Sequence, residues 1–452
     1  MDDVTAPRDP SAAQPSLAEL AVRPMVHAGQ GFWLVALIAA LVAGVGAVGY
    51  AVQLGSGLGV TGLNDQVFWG IYEATLVTFI GFSYGGALVS AILRLVDASW
   101  RGRVTRIAEA TALATLLVGA LFPIIHLGRP ERVLLILFQP NFESPIVWDL
   151  VAIATYIVAT VILFGLPLIA DLGILSEHPA LGPRRRRFFR WLSFGWRGTS
   201  GQRRALERAL TVIAILIVPL AVIVHTVLSY AFSLTSRPGW HSTIFGPYFV
   251  IGAVYSGVAI VILTALAYRR AYGLREWIDD RVIRNLGYVL VALAVAYGYV
   301  TFTEITTQGY VSEAADANVL YALVFAEYSP LFWAFLGFGL LLPVVVMAVP
   351  RLRTGAWIGL ASAGVIVAMY IKRLLIIVPA EAQPLIGGAT GVYSPSWVEL
   401  AIVAGGGGGI VLILLVTFRL VPVLAIHEIG EIEGRGEEPA RSASVVAIEV
   451  TT

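Results

Sequence analysis

Apolar residues run along this chain in long unbroken stretches divided by short polar segments. Ten stretches reach the roughly 20 residues that a helix needs to cross a bilayer, at about 31–54, 66–95, 107–127, 147–173, 209–233, 244–268, 285–308, 328–349, 357–379 and 397–422. None shows the two-residue alternation of a membrane barrel strand, so the runs predict helices. The predicted fold is an all-α membrane protein of ten spans, which puts both termini on one side of the bilayer. The first thirty residues are polar and rich in Pro and Ala, without the apolar core of a signal peptide.

Composition agrees with that pattern. The chain is 452 residues long, 58% hydrophobic and 13% charged, with a mean hydropathy of +0.82. A soluble surface needs about a quarter charged residues. The net charge of +1 carries little information, but the distribution of arginine carries much. The loops after spans 2, 4, 6 and 8 hold clusters such as Arg101, Arg103 and Arg106, Arg184 to Arg187, and Arg269, Arg270 and Arg275. The opposite loops hold only Arg129, Arg132 and Arg237. The positive-inside rule then predicts a multi-pass membrane protein with both termini and the arginine-rich loops in the cytoplasm. Arginines divided among membrane loops do not make the soluble basic face of a nucleic-acid binder.

The chain also repeats itself. Span 2 contains Gly81-Phe-Ser-Tyr84-Gly-Gly86 and span 6 contains Gly252-Ala-Val-Tyr255-Ser-Gly257. Span 4 opens with Ser144-Pro-Ile-Val-Trp148 and span 8 with Ser329-Pro-Leu-Phe-Trp333. The offsets, 171 and 185 residues, differ as unequal loops would make them. The expectation is two four-helix bundles in parallel repeat, spans 2–5 over 66–233 and spans 6–9 over 244–379. They are flanked by span 1 within 31–65 and span 10 within 397–428, with polar tails at 1–30 and 429–452. Small residues in the repeated element would let helices approach closely, and the Gly405–Gly409 run reads as a packing surface of the same kind.

With no cysteine, the chain cannot ligate an iron–sulfur cluster or attach a c-type haem. Its six histidines are too scattered for a bis-haem bundle, so no haem, cluster or metal site is expected. Polar groups inside a bilayer are costly and are functional candidates by default. The densest group closes span 3 with His126-Leu127-Gly128-Arg129-Pro130 and opens span 4 with Trp148-Asp149. An imidazole, a guanidinium and a carboxylate converging there would suit a quinol head group, which needs hydrogen-bond partners and a base. Gly128 would admit a flat ring, with Phe122 or Trp148 packed against it. The plainer alternative is a helix cap, with Arg129 paired to Asp149. The second bundle has Trp333-Ala334 where the first has Trp148-Asp149, which favours a site in the first bundle only.

Glu73, Asp171, His225, Glu304 and Lys372, the last being the only lysine, are spread in depth through the spans. They read as a proton path or as interhelical pairs, such as Glu304 with Lys372. A secondary transporter is a weaker alternative, because its site would lie near the midplane and its repeats would often be inverted.

The elements His126-Leu-Gly-Arg-Pro130, Ser144-Pro-x-x-Trp-Asp149, Pro238-Gly-Trp-His241-Ser-Thr-Ile-Phe and Tyr393-Ser-Pro-x-Trp resemble the NrfD/PsrC family of membrane subunits. They are similar in particular to the paired ten-span ActC and ActF subunits of alternative complex III. The resemblance implies a menaquinone or ubiquinone site near the outer face, formed by His126, Leu127, Gly128, Arg129 and Asp149. It implies that the subunit itself holds no redox cofactor. Electrons would pass to an iron–sulfur or molybdopterin-type peripheral subunit, beside a paralogous ten-span subunit and c-type cytochromes. Two elements depart from quinol-oxidising members. Ser229-Tyr-Ala-Phe232 lacks their acidic residue, and Met369-Tyr-Ile-Lys-Arg373 stands where they often show Glu-Arg. The competing reading within the family is therefore a paralogue that binds no quinone and serves as a proton path or membrane anchor.

Overall fold

The computed structural model describes residues 17–311, 313–385 and 388–430. Among them are ten helices long and apolar enough to cross a membrane and no strand. The spans are Gln30–Ser56, Gly70–Leu95, Thr105–His126, Pro145–Leu175, Ser200–Ser233, Phe245–Tyr272, Asp280–Val311, Ser329–Ala348, Gly355–Ala382 and Trp397–Leu420, numbered 1 to 10. Chain alternation places the ends near Arg101, Arg184 and Arg351 together, forming an arginine-rich end. The ends near His126, His241 and Glu381 lie opposite, forming an arginine-poor end.

Spans 2 and 6 occupy the centre, and most of their residues are buried. Span 2 packs on spans 3 and 5, and span 6 on spans 7 and 9. The two groups meet through span 2 against span 6, span 5 against span 6, and span 2 against span 9. The central crossing is a contact of glycines: a Cβ on Gly85 would lie 2.2 Å from the Cα of Gly257. No side chain fits there, and backbone proximity replaces side-chain packing. Spans 1 and 10 form an outer pair that packs against spans 3 and 2, with Tyr268 of span 6 donating to the Leu414 carbonyl of span 10 at 3.1 Å. Gly46 and Gly405 stand in similar contact, each Cβ direction 2.6 Å from the other's Cα. The glycine run of span 10 thus serves packing, as its sequence suggests.

Four features depart from the expected layout. Residues Leu17–Val26, expected within a polar tail, form a helix whose Leu20, Ala21, Val22 and Met25 are buried. Span 10 ends at Leu420, and residues 421–430 turn back under the arginine-rich end with Val423, Leu424 and Ala425 buried. Short helices stand in three loops, at Val133–Phe138, Pro183–Leu192 and Ala314–Val324. Span 8 contains a π-helical turn over Phe335–Leu341, which span 4 lacks. The outer parts of the expected tails, residues 1–16 and 431–452, lie outside the described residues.

Candidate functional site

Short connections bring the starts of spans 2, 4 and 6 beside the ends of spans 3, 5, 7 and 9 at the arginine-poor end. His126, the last residue of span 3, donates from Nε2 to the Phe68 carbonyl, 2.8 Å away, just before span 2 begins. One turn deeper, Tyr72 donates to Gln53 Oε1 at 2.5 Å, and Gln53 donates to the Ile125 carbonyl at 2.8 Å. Spans 1, 2 and 3 are thereby tied together around the histidine.

Asp149 sits in the second turn of span 4 and is buried, with no hydrogen bond to Oδ1 among the described residues. Glu73, in the first turn of span 2, is within electrostatic reach of Asp149 and of Glu381 at the end of span 9. Among the described residues, neither Glu73 nor Asp149 pairs with a cation. Glu381 accepts from the Trp69 backbone N–H at 3.2 Å, while its Oε1 has no hydrogen-bond partner among the described residues. Three acidic groups thus face one region of low polarity, where an unneutralised carboxylate is costly. An open carboxylate oxygen such as Asp149 Oδ1 is a hydrogen-bond and proton acceptor available to a ligand there.

Deeper in the first bundle, Tyr84, Tyr156 and His225 form an aromatic set, with ring centroids 4.3 Å apart for the tyrosines and 4.6 Å for Tyr84 with His225. The Tyr84 hydroxyl and both ring nitrogens of His225 have no hydrogen-bond partner among the described residues. Arg373 of span 9 lies in electrostatic reach of His225 and donates to Ser256 Oγ at 2.9 Å. Gly81 is why the guanidinium fits, since a Cβ there would meet its Nη2 at 2.7 Å. A small cavity adjoins Arg373, Tyr248 and Tyr297. That is room for about one water.

The residues singled out in the sequence do not all meet. Arg129 is exposed and forms no ion pair among the described residues, so the alternative of a pairing with Asp149 is not realised. Leu127 is exposed, and Gly128 has φ +66 with the Leu58 side chain filling the space where its Cβ would lie, at 2.8 Å. The ring expected over Gly128 therefore meets an aliphatic side chain instead. Phe122 is buried between Tyr72, Phe79 and the backbone of Gly406. Trp148 is partly exposed, and its indole N–H donates to the Phe142 carbonyl at 2.6 Å.

The deeper set divides as well. Lys372 Nζ stands 3.4 Å from Glu304 Oε2, the pair named from sequence. Asp171 binds Arg106 at 2.6 Å and accepts from the His427 backbone N–H at 2.9 Å. It stands at the arginine-rich end, 22 residues along span 4 from Asp149, or roughly 33 Å at a helical rise of 1.5 Å. That is the full thickness of a hydrocarbon core, so the two carboxylates cannot act on one ligand.

Sequence reasoning passed over Gln53, Tyr72, Glu381 and Glu399, and named Tyr393 only as part of a motif. Glu399 accepts from the Gly62 and Ser396 backbone N–H groups at 2.6 and 2.7 Å and from Tyr393 Oη at 2.8 Å. Tyr393 also accepts from the Ile71 N–H at 2.9 Å, which fixes the start of span 2. The Ser396-x-x-Glu399 capping box was the available signal.

A profile of the family described as polysulphide reductase, NrfD, matches residues 59–384. The chain belongs to the NrfD family. The matched region takes in spans 2 to 9 with Glu73, His126, Asp149, His225 and Glu381, and leaves out Gln53, Tyr393 and Glu399. Among relatives of this NrfD-family chain, a putative dimethyl sulfoxide reductase membrane subunit of Halobacterium salinarum is 25% identical, over 87% of this chain and 92% of its own length. An Hdr-like menaquinol oxidoreductase integral membrane subunit of Archaeoglobus fulgidus is 26% identical, over 89% and 96%. A selenate reductase subunit of Mesobacillus selenatarsenatis is 22% identical, over 85% and 93%. This chain is thus similar to subunits of oxidoreductases along nearly all of its length.

Proposed function

We propose that this NrfD-family chain is the quinol-interacting membrane subunit of a multisubunit oxidoreductase of the alternative complex III type. The observation that carries the proposal is Asp149, a buried carboxylate with an unpartnered oxygen, in reach of a second unpaired carboxylate, Glu73, and near the membrane surface. The relative from Archaeoglobus fulgidus, named as a menaquinol oxidoreductase subunit, supports a quinol as the substrate class. Oxidation of a quinol releases two protons and two electrons. Asp149 and Glu73 would accept the protons, and His126 would bind a quinol oxygen, with the menaquinone or ubiquinone head group as bound substrate. The electrons would leave through iron–sulfur clusters of a peripheral subunit, because this chain has no cysteine to hold one. The arginine distribution supports a cytoplasmic location for both termini and an outward-facing arginine-poor end.

A second reading, the paralogue that binds no quinone, is favoured by Leu58 over Gly128 and by the burial of Phe122, which fill the corner a ring would enter. On that reading Glu73 and His225 serve proton movement, while Asp171 and the Glu304–Lys372 pair hold helices together. Binding of a quinone analogue to the purified complex, with His126→Ala and Asp149→Asn variants of this chain, separates the two. Quinol-dependent turnover should fall at least tenfold, in keeping with loss of a positioned acid or base, and analogue binding should weaken with it. Unchanged binding and turnover in both variants would move the quinol site to another subunit.

A further inference from the structure

We propose a divalent metal site at the arginine-poor surface, formed by His241, Glu313 and Asp316. They come from two segments, His241 from the loop before span 6 and both carboxylates from the start of the helix Ala314–Val324. One ligand atom from each lies within 4.8 Å of the others.

The surrounding contacts arrange these atoms as a metal requires. His241 donates from Nδ1 to the Arg237 carbonyl at 3.1 Å, which leaves the Nε2 lone pair facing the carboxylates. A carbonyl on the far nitrogen is the usual support of a metal-binding imidazole. Asp316 is 6% exposed, and its Oδ1 accepts from the Gly239 N–H at 2.6 Å. Its Oδ2 receives no hydrogen bond among the described residues and meets His241 Nε2 at 3.4 Å. Bonds of about 2.0–2.2 Å to a tetrahedral cation place ligand atoms about 3.3–3.6 Å apart. His241 and Asp316 already stand at that separation, and Glu313, which is exposed, offers a carboxylate oxygen within 4.8 Å of both. One imidazole and two carboxylates suit zinc, with water in the remaining position.

A cation here would clamp the 237–244 loop to the helix Ala314–Val324. Gly239 and Trp240 share that loop, and Trp240 stacks on Trp69 beside the candidate site, with centroids 5.3 Å apart. The test is zinc titration of the full chain in detergent after chelator treatment, comparing wild type with His241→Ala and with the double variant H241A/D316N. The expected result is one zinc per wild-type chain that the variants lose or bind at least tenfold more weakly, together with a zinc-dependent rise in wild-type thermal stability that the variants lack. Equal zinc affinity in wild type and double variant, or no zinc retained by the wild type, would overturn the assignment and leave His241 and Asp316 as an ion pair only.

Discussion

Span 2 and span 6 carry the same Gly-x-x-Tyr-x-Gly element, yet their tyrosines meet different partners. Tyr255 of span 6 donates to the Gly339 carbonyl, which the π-helical turn of span 8 presents to it. Tyr84 of span 2 reaches the equivalent helix, span 4, but finds the face of Tyr156 and no acceptor. The contrast extends through both halves. In the second, Lys372 pairs with Glu304 and Tyr248 bonds Thr301 at 3.1 Å. In the first, Asp149 Oδ1, Tyr84 Oη and both nitrogens of His225 lack partners among the described residues. Buried polar groups in lipid are normally satisfied. The second half also leaves Arg269 Nη1, Arg373 Nη1 and Glu381 Oε1 without partners among the described residues, so the contrast lies in the named pairs: Glu304–Lys372 and Tyr255–Gly339 serve cohesion, whereas Tyr84, His225 and Asp149 leave groups that a substrate, water or proton can complete.

The largest effect expected is at the crossing that joins the halves. Gly85→Leu drives a side chain into the backbone of Gly257 and should abolish recovery of folded protein in a detergent-extraction assay. Gly165→Ala in span 4, with open space around it, should be tolerated. Next come the acids. Glu304→Gln leaves Lys372 buried without its carboxylate and should lower stability by about 3–5 kcal/mol, read as a lower midpoint of thermal unfolding. Asp149→Asn removes no pairing and should leave that midpoint close to wild type while turnover falls; a large loss of stability would show that Asp149 is architectural. The tyrosines sharpen the same contrast. Tyr255→Phe strips the Gly339 carbonyl of a donor and should cost about 1–3 kcal/mol, whereas Tyr84→Phe should cost close to nothing.

The smallest effect concerns pH. The segment at 421–430 closes the arginine-rich end of the first half, where Glu428 pairs with Arg94 and the His427 N–H binds Asp171. Burial holds the His427 imidazole below its ordinary value. A released segment would take up a proton near pH 6.5 while the docked one would not. Docking should therefore be unaffected above that pH and weaken as pH falls below it. Limited proteolysis of residues 421–430 at pH 7.5 and 5.5 measures this, and His427→Gln should flatten the difference.

Much of the architecture was legible in order along the chain. Ten apolar runs became ten helices with ends shifted by a few residues, because a bilayer imposes one length and one backbone solution. The longest extension is at span 5, where the helix continues into a polar first turn at Ser200 that hydropathy alone excludes. The Glu304–Lys372 pair was legible because an isolated buried cation demands a partner at similar depth. The Arg129–Asp149 pairing was not, because adjacency in the loop says nothing about which way a side chain at a helix end turns. The polar-tail reading failed at Leu20 and Ile429, where a few apolar residues suffice to dock a short segment on an existing surface.

By itself, then, the sequence determined the number of spans, the asymmetry of their flanking charge and the inventory of buried acids. Those follow from local composition against a fixed bilayer. Only the tertiary structure decided which acids are neutralised, because pairing depends on rotation and register between helices. It set Leu58 into the space over Gly128, placed Asp149 and Asp171 at opposite ends of one helix, and brought Glu73, Asp149 and Glu381 from three spans to one region.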